Sequence, residues 1–184
     1  MKRLIAILLV VLTVFSFAAC GGNATSVPSF EAWGIYQLGH IAVRVPSDDV
    51  AEEAEIEYGV EVITAESSVP GATVMTMRFV GFTSFLLDLG IPIEIARTDS
   101  LHGAMHGFIG DFLAEVDGGE VQGESEGEVD GVFFYSVYGE TVLNAANFEM
   151  RAFVFENDFY AVMLLWDDDN ADFVEPFFES IRFS

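Results

Sequence analysis

His102 and His106 stand four residues apart in a stretch whose apolar residues recur at three- and four-residue steps. On a helix this spacing puts both imidazoles on one face, with Asp99 near the same side, as a metal-binding pair requires. Residue 103 is Gly rather than Glu, so the metalloprotease pattern is absent. A third ligand must come from elsewhere, and His40 is the only other histidine. The competing reading is two polar residues flanking an apolar stripe. A second candidate is DDDNAD at residues 167–172. Asp168, Asn170, Asp172 and Glu179 fall at the first, third, fifth and twelfth places of a calcium-binding EF-hand loop, but Phe173 occupies the place where the sharp turn needs Gly. A capped acidic helix start explains the same residues, and Pro176 with the aromatic pair after it suits a helix.

Other polar groups give less. Glu124, Glu126 and Glu128 alternate with Ser and Gly; on a strand they share a face and repel one another, which suits a solvated edge. Ser100 lies two residues from His102, which on a helix places them on different faces. The glycine-rich stretches carry no lysine for a phosphate loop. No activated nucleophile stands out, so no enzymatic activity and no cofactor are expected.

Cys20 is the only cysteine, so no internal disulfide can form. Met1-Lys2-Arg3 is followed by the uncharged run Leu4 to Phe17, then by Ala18, Ala19 and Cys20. A positive start, an apolar middle and a small-residue exit make a secretory signal peptide, residues 1–19. The run is short for a bilayer span, which takes about 20 residues. Phe17-Ala18-Ala19-Cys20 resembles the bacterial lipobox, with Phe17 in place of the usual Leu. That resemblance implies a diacylglycerol, palmitate-like in its chains, on the Cys20 thiol, which becomes the first residue after cleavage. Two acyl chains are what stable anchoring takes, since a single chain binds only marginally. The alternatives are a plain cleaved signal with a chance cysteine and an uncleaved anchor.

Past residue 19 the basic residues are Arg44, Arg78, Arg97, Arg151 and Arg182, against 30 Asp and Glu. Such a charge excludes nucleic acid, whose binding depends on neutralising phosphates. It also repels anionic headgroups and attracts cations or a basic partner. The 18 Phe residues argue for a packed core rather than disorder. Gly21 to Ser29, GGNATSVPS, is the exception and reads as flexible tether.

The elements that would position these groups follow from pattern. Leu38 to Val45 reads as a strand, stopped by Pro46. Ser47-Asp48-Asp49 can cap a short helix through about Glu55. Val60 to Ala65 and Thr73 to Phe82 read as strands on either side of a Val69-Pro70-Gly71 turn. Leu86, Leu87 and Leu89 suggest a helical turn ended by Gly90. Leu101, Met105, Phe108, Ile109, Phe112 and Val116 mark an amphipathic helix, capped by Thr98 or Asp99 and stopped at Gly118-Gly119. Gly103, Gly107 and Gly110 lie away from that stripe. Glu120 to Asp130 is a polar edge strand, Val132 to Tyr138 the next strand, and Phe148–Phe155 with Phe159–Trp166 a hairpin across Glu156-Asn157-Asp158. A short helix carries Phe173, Phe177 and Phe178 to Ile181, capped by Asp169 or Asn170. The sum is α+β: an antiparallel β-sheet flanked by helices.

IAVRVP near residue 41, the central helix, VDGVFFYSVYG, FVFENDFYAVMLLW and the closing FFESIRFS together resemble the PsbP-like fold, an α/β/α sandwich. That group includes bacterial lipoproteins of the DcrB and LpqN kind. The resemblance covers residues 38–184, so with the signal and lipobox reading the chain divides into signal peptide 1–19, lipidated cysteine and tether 20–37, and one domain 38–184. The fold resemblance implies a non-enzymatic binding or accessory module serving a protein or small-molecule partner, and the lipobox resemblance implies that it is held by the lipid on Cys20 at the extracytoplasmic face of a cell membrane. It supplies no functional residues. The alternative function is a calcium- or zinc-binding envelope protein using Asp168, Asn170, Asp172 or the histidine pair; a hydrolase of unrecognised type comes last.

Overall fold

The computed structural model describes residues 27–57, 59–92, 99–116, 118–142 and 146–184. The expected signal segment 1–19, Cys20, the tether to residue 26, Arg97 and the capping residue Thr98 lie outside them. A 3-10 turn, Phe30–Ala32, leads into β1 (Gly34–Leu38) and β2 (Ile41–Val45). β3 (Ala51–Glu57), β4 (Val60–Val69) and β5 (Ala72–Val80) follow, then α1 (Phe82–Asp88) and α2 (Asp99–Glu115). Next come β6 (Gly119–Val129), β7 (Val132–Thr141), β8 (Asn147–Phe155) and β9 (Asp158–Trp166). A 3-10 turn (Asp168–Phe173), α3 (Val174–Glu179) and β10 (Arg182–Phe183) end the chain. Among the described residues no helix is long and apolar enough to cross a membrane.

Seven strands pair in the order β3-β4-β5-β9-β8-β7-β6, and three in the order β1-β2-β10, every pair antiparallel. The chain leaves the large sheet after β5, crosses through the helices, and re-enters at the far edge as β6. It then meanders back until β9 closes against β5. β9, Asp158-Phe-Tyr-Ala-Val-Met-Leu-Leu-Trp166, is the centre and is buried along nearly its whole length. This explains why it reads as an unbroken apolar run: both of its faces are covered.

One face of the large sheet packs on the small sheet and α3. Tyr160, Val162 and Leu164 meet Ile41, Val43, Phe177, Phe178 and Ile181 there. The other face packs on α2, whose Leu101, Met105, Ile109, Phe112 and Val116 lie against Tyr135, Val137, Phe148 and Met150. The fold class expected from the sequence is the one observed, α+β with an antiparallel sheet between flanking elements.

Several elements differ from the sequence reading. The tether, expected to run to residue 37, gives way earlier: Trp33 is buried against Phe173 and Phe177, its Nε1 donates to Pro28 O, and β1 begins at Gly34. The strand expected over Leu38–Val45 is the turn and second arm of a β1–β2 hairpin. The helix expected through Glu55 is instead β3. Asp49 N–H does donate to Ser47 Oγ. However, Ser47 N–H donates to Ser67 Oγ and Ser67 Oγ donates back to Ser47 O, pinning the chain against β4. Pairing with a neighbour overrides local helix preference here. Asp158, expected in the last hairpin turn, is the first residue of β9, which leaves a two-residue loop, Glu156-Asn157. The closing helix is preceded by a 3-10 turn after Asp167 with no side-chain cap.

Candidate functional site

The apolar stripe of α2 fixes which way its polar side faces. With Leu101, Met105 and Ile109 buried, His102 and His106 emerge beside β6, both partly exposed. β6 itself sorts its residues by alternation. Gly123 and Gly127 sit directly across from Tyr138 and Phe134 of β7 on one face. A Cβ at Gly123 would collide with the Tyr138 hydroxyl, and one at Gly127 would lie 2.8 Å from Phe134 Cζ. The glycines are therefore seats for aromatic rings, which restore the packing that an edge glycine lacks. Alternation then places Glu124 and Glu126 on the opposite face, the one carrying α2.

There they meet the histidines. His102 Nε2 stands 3.1 Å from Glu126 Oε1, and His106 Nε2 stands 3.4 Å from Glu124 Oε1. Tyr135 of β7 joins the two pairs. Its hydroxyl donates to Glu124 Oε2 and lies 3.3 Å from His106 Nε2. Its ring stacks on His102 at 3.9 Å between centroids. Burial, the hydrogen bond to Glu124 and the charges of Glu124 and Glu126 all push the Tyr135 hydroxyl pKa upward, so it stays a donor. Each imidazole is held by its own carboxylate, and among the described residues no three His, Cys, Asp or Glu side chains converge as they stand on one point.

His40, the third histidine, belongs to a different place. It lies on the β1–β2 turn, 3.5 Å from Glu156 Oε2 and 2.6 Å from Ser184 O. The calcium candidates do not converge. Asp168 Oδ1 accepts from Asn147 Nδ2 at 2.8 Å, while Asn170 turns its amide toward Gly71 O and Asp172 is exposed. Phe173 is buried with its ring 5.0 Å from that of Trp33, which makes it a core residue and not a loop pivot.

A second polar cluster is structural. Arg78 Nε and Nη2 donate to Asp158 Oδ2 at 2.7 and 2.6 Å, and Asp158 Oδ1 accepts Gly81 N–H at 2.8 Å. Tyr160 Oη donates to the same carboxylate and accepts His40 N–H, bolting the small sheet to the large one. Glu66 on β4, flanked in register by Met75 and Ala51, has its pKa raised to about 7 by burial alone. Sequence reasoning missed Tyr135 altogether and took Glu124 and Glu126 for mutually repelling, solvated groups. Their partners lie 24 and 18 residues upstream, and no local pattern signals them.

No family profile matches the sequence, and no curated protein matches it. A solved structure matches the fold: the solution structure of cyanobacterial PsbP (CyanoP) from Synechocystis sp. PCC 6803. The similarity covers 92% of this chain and 99% of that one, with a TM-score of 0.54 and 12% sequence identity. The domain therefore has a PsbP-like fold; at that identity, the fold is what the two chains share.

Proposed function

We propose that this protein is a lipid-anchored extracytoplasmic module of the DcrB and LpqN kind, binding or assisting a partner rather than catalysing a reaction. In this reading residues 1–19 are removed, Cys20 carries the lipid, and the PsbP-like domain stands outside the membrane. The observation that carries it is the position of the single cysteine, directly after Ala18-Ala19 at the exit of a signal-like run. In this reading the acidic body is repelled by anionic headgroups and stands off the membrane that its anchor holds.

Cys20→Ala is the test. The variant is expected to lose fatty-acid incorporation and to leave the membrane fraction. Retention of both properties would sink the proposal. The cation-dependent alternative is tested by a thermal melt at millimolar Ca²⁺ and Zn²⁺, where an unmoved midpoint removes it.

A further inference from the structure

We propose that the open side of β6 is a docking edge for an extended basic segment of a partner protein, which joins the seven-stranded sheet as a further strand beyond β6. The inference rests on the reading of this domain as a partner-binding module, and not on the lipid anchor.

Backbone geometry is the first argument. β6 ends the strand order, with β7 as its one paired strand among the described residues. Asp130-Gly131, both at positive φ, close a two-residue turn between Val129 and Val132. The residues flanking such a turn exchange both backbone hydrogen bonds, and bonded and non-bonded pairs then alternate along the ladder. The register is unbroken from Val129 back to Gly123, so Val129, Gly127, Ser125 and Gly123 bond to β7. Glu124, Glu126 and Glu128 therefore turn their N–H and C=O groups outward. Among the described residues nothing bonds to those groups.

Length is the second argument. β6 has 11 residues, about twice the usual strand. Edges are commonly protected by being short or by Lys or Pro, and β6 is long and has neither. Its bulge, between Val121 and Gly123, bends only the start. The other edge of the sheet, β3, has 7 residues and gives Glu52 to the small sheet.

The side chains choose the occupant. On the α2 face Glu124, Glu126 and Glu128 line the edge, all exposed. Glu126 meets His102 through Oε1, which leaves Oε2 to solvent. A second copy paired antiparallel through β6 would set these carboxylates beside its own, in chains of formal net charge -23 each. Like charges across a strand pair are destabilising, whereas Lys or Arg there is favourable. On the other face the Tyr138 ring lies across Gly123 toward the open edge and is 41% exposed. An aliphatic side chain of the incoming strand would pack on it. A sequence alternating basic and aliphatic residues fits both faces, as strand addition requires.

The experiment adds a synthetic peptide of alternating Lys and Val to the purified full-length protein at low salt, following binding heat and amide hydrogen exchange. Saturable binding is expected, with the Glu124, Glu126 and Glu128 amides newly protected and those of β3 unchanged. A Glu–Val peptide, and a Lys–Val peptide with Pro at its centre, should not bind. Glu126→Pro removes one outward N–H and no bond to β7, so it should fold as before and bind about tenfold more weakly, the loss of one or two hydrogen bonds. E126K/E128K, which keeps the whole backbone, should exchange the preference and take the Glu–Val peptide. No saturable binding, protection elsewhere, or equal binding of the Pro-interrupted peptide overturns the proposal. So does protection of the same amides in the free protein that grows with its concentration, because a second copy would then hold the edge. None of these results bears on Cys20, so this inference and the anchored reading fail separately.

Discussion

β3 and β6 close the seven-stranded sheet on opposite sides, and both are rich in Glu. On β3, Glu53 and Glu55 point to solvent with no partner among the described residues, and Glu52 takes only the Tyr36 hydroxyl from the small sheet. On β6, Glu124 and Glu126 are held by two imidazoles and a tyrosine. The β3 arrangement is what an edge needs to repel other chains. The β6 arrangement differs because α2 runs beside that edge and turns a pair of histidines onto it. Composition makes an acidic edge; what crosses the neighbouring face decides whether its carboxylates gain partners.

The largest way to break the contrast is to remove the tyrosine at each edge. Tyr135 is 3% exposed, and Tyr135→Ala should cost about 3–5 kcal/mol in chemical denaturation, as for other buried aromatic truncations. Tyr36→Ala should cost less than half as much, because its hydroxyl contact is at the surface. Equal losses would mean that the two edges are equivalent.

Glu66, one strand in from β3, sharpens the contrast through pH. Its pKa is about 7 when folded, above the ordinary carboxyl value. The folded state therefore holds the proton more tightly. Stability is highest at acid pH and falls as pH rises from the unfolded value through 7. Glu66→Gln should raise stability at pH 8 by ~1 kcal/mol, after allowance for partial exposure, and change little at pH 4. A gain equal at both pH values would contradict the assignment.

On α2, the glycines 103, 107 and 110 have open space where a Cβ would go. Each change to Ala should stabilise by roughly 0.5–1 kcal/mol, seen as a higher melting midpoint without movement of His102 or His106. Smallest is the comparison of E124Q/E126Q with E53Q/E55Q in chemical denaturation. The β6 pair should lose ~0.5 kcal/mol with its ion pairs, while the β3 pair should be neutral or slightly stabilising as repulsion falls. A loss at β3 as large as that at β6 would show that the histidines contribute nothing.

The sequence showed parts of this unevenly. The α2 stripe, the β8–β9 hairpin, the Pro70-Gly71 turn and the aromatic closing helix were legible because each has a local period or a turn residue. The helix expected after Ser47 failed because its rival, pairing with β4, is a contact between residues 20 apart. Asp130-Gly131, both at positive φ, makes a tight β6–β7 turn that sets the register in which Tyr138 and Phe134 cover Gly123 and Gly127.

The chain by itself determined its periods: which residues of α2 are buried, that β8 and β9 pair as a hairpin, that β6 is a polar edge, and that two imidazoles share one helix face. These depend on 3.6- and 2-residue repeats, which a linear pattern carries whole. Only the tertiary structure decided that the imidazoles meet Glu124 and Glu126. That outcome depends on where a crossing helix lies against a returning strand, a choice made by packing across the sheet and not written in any short stretch of residues.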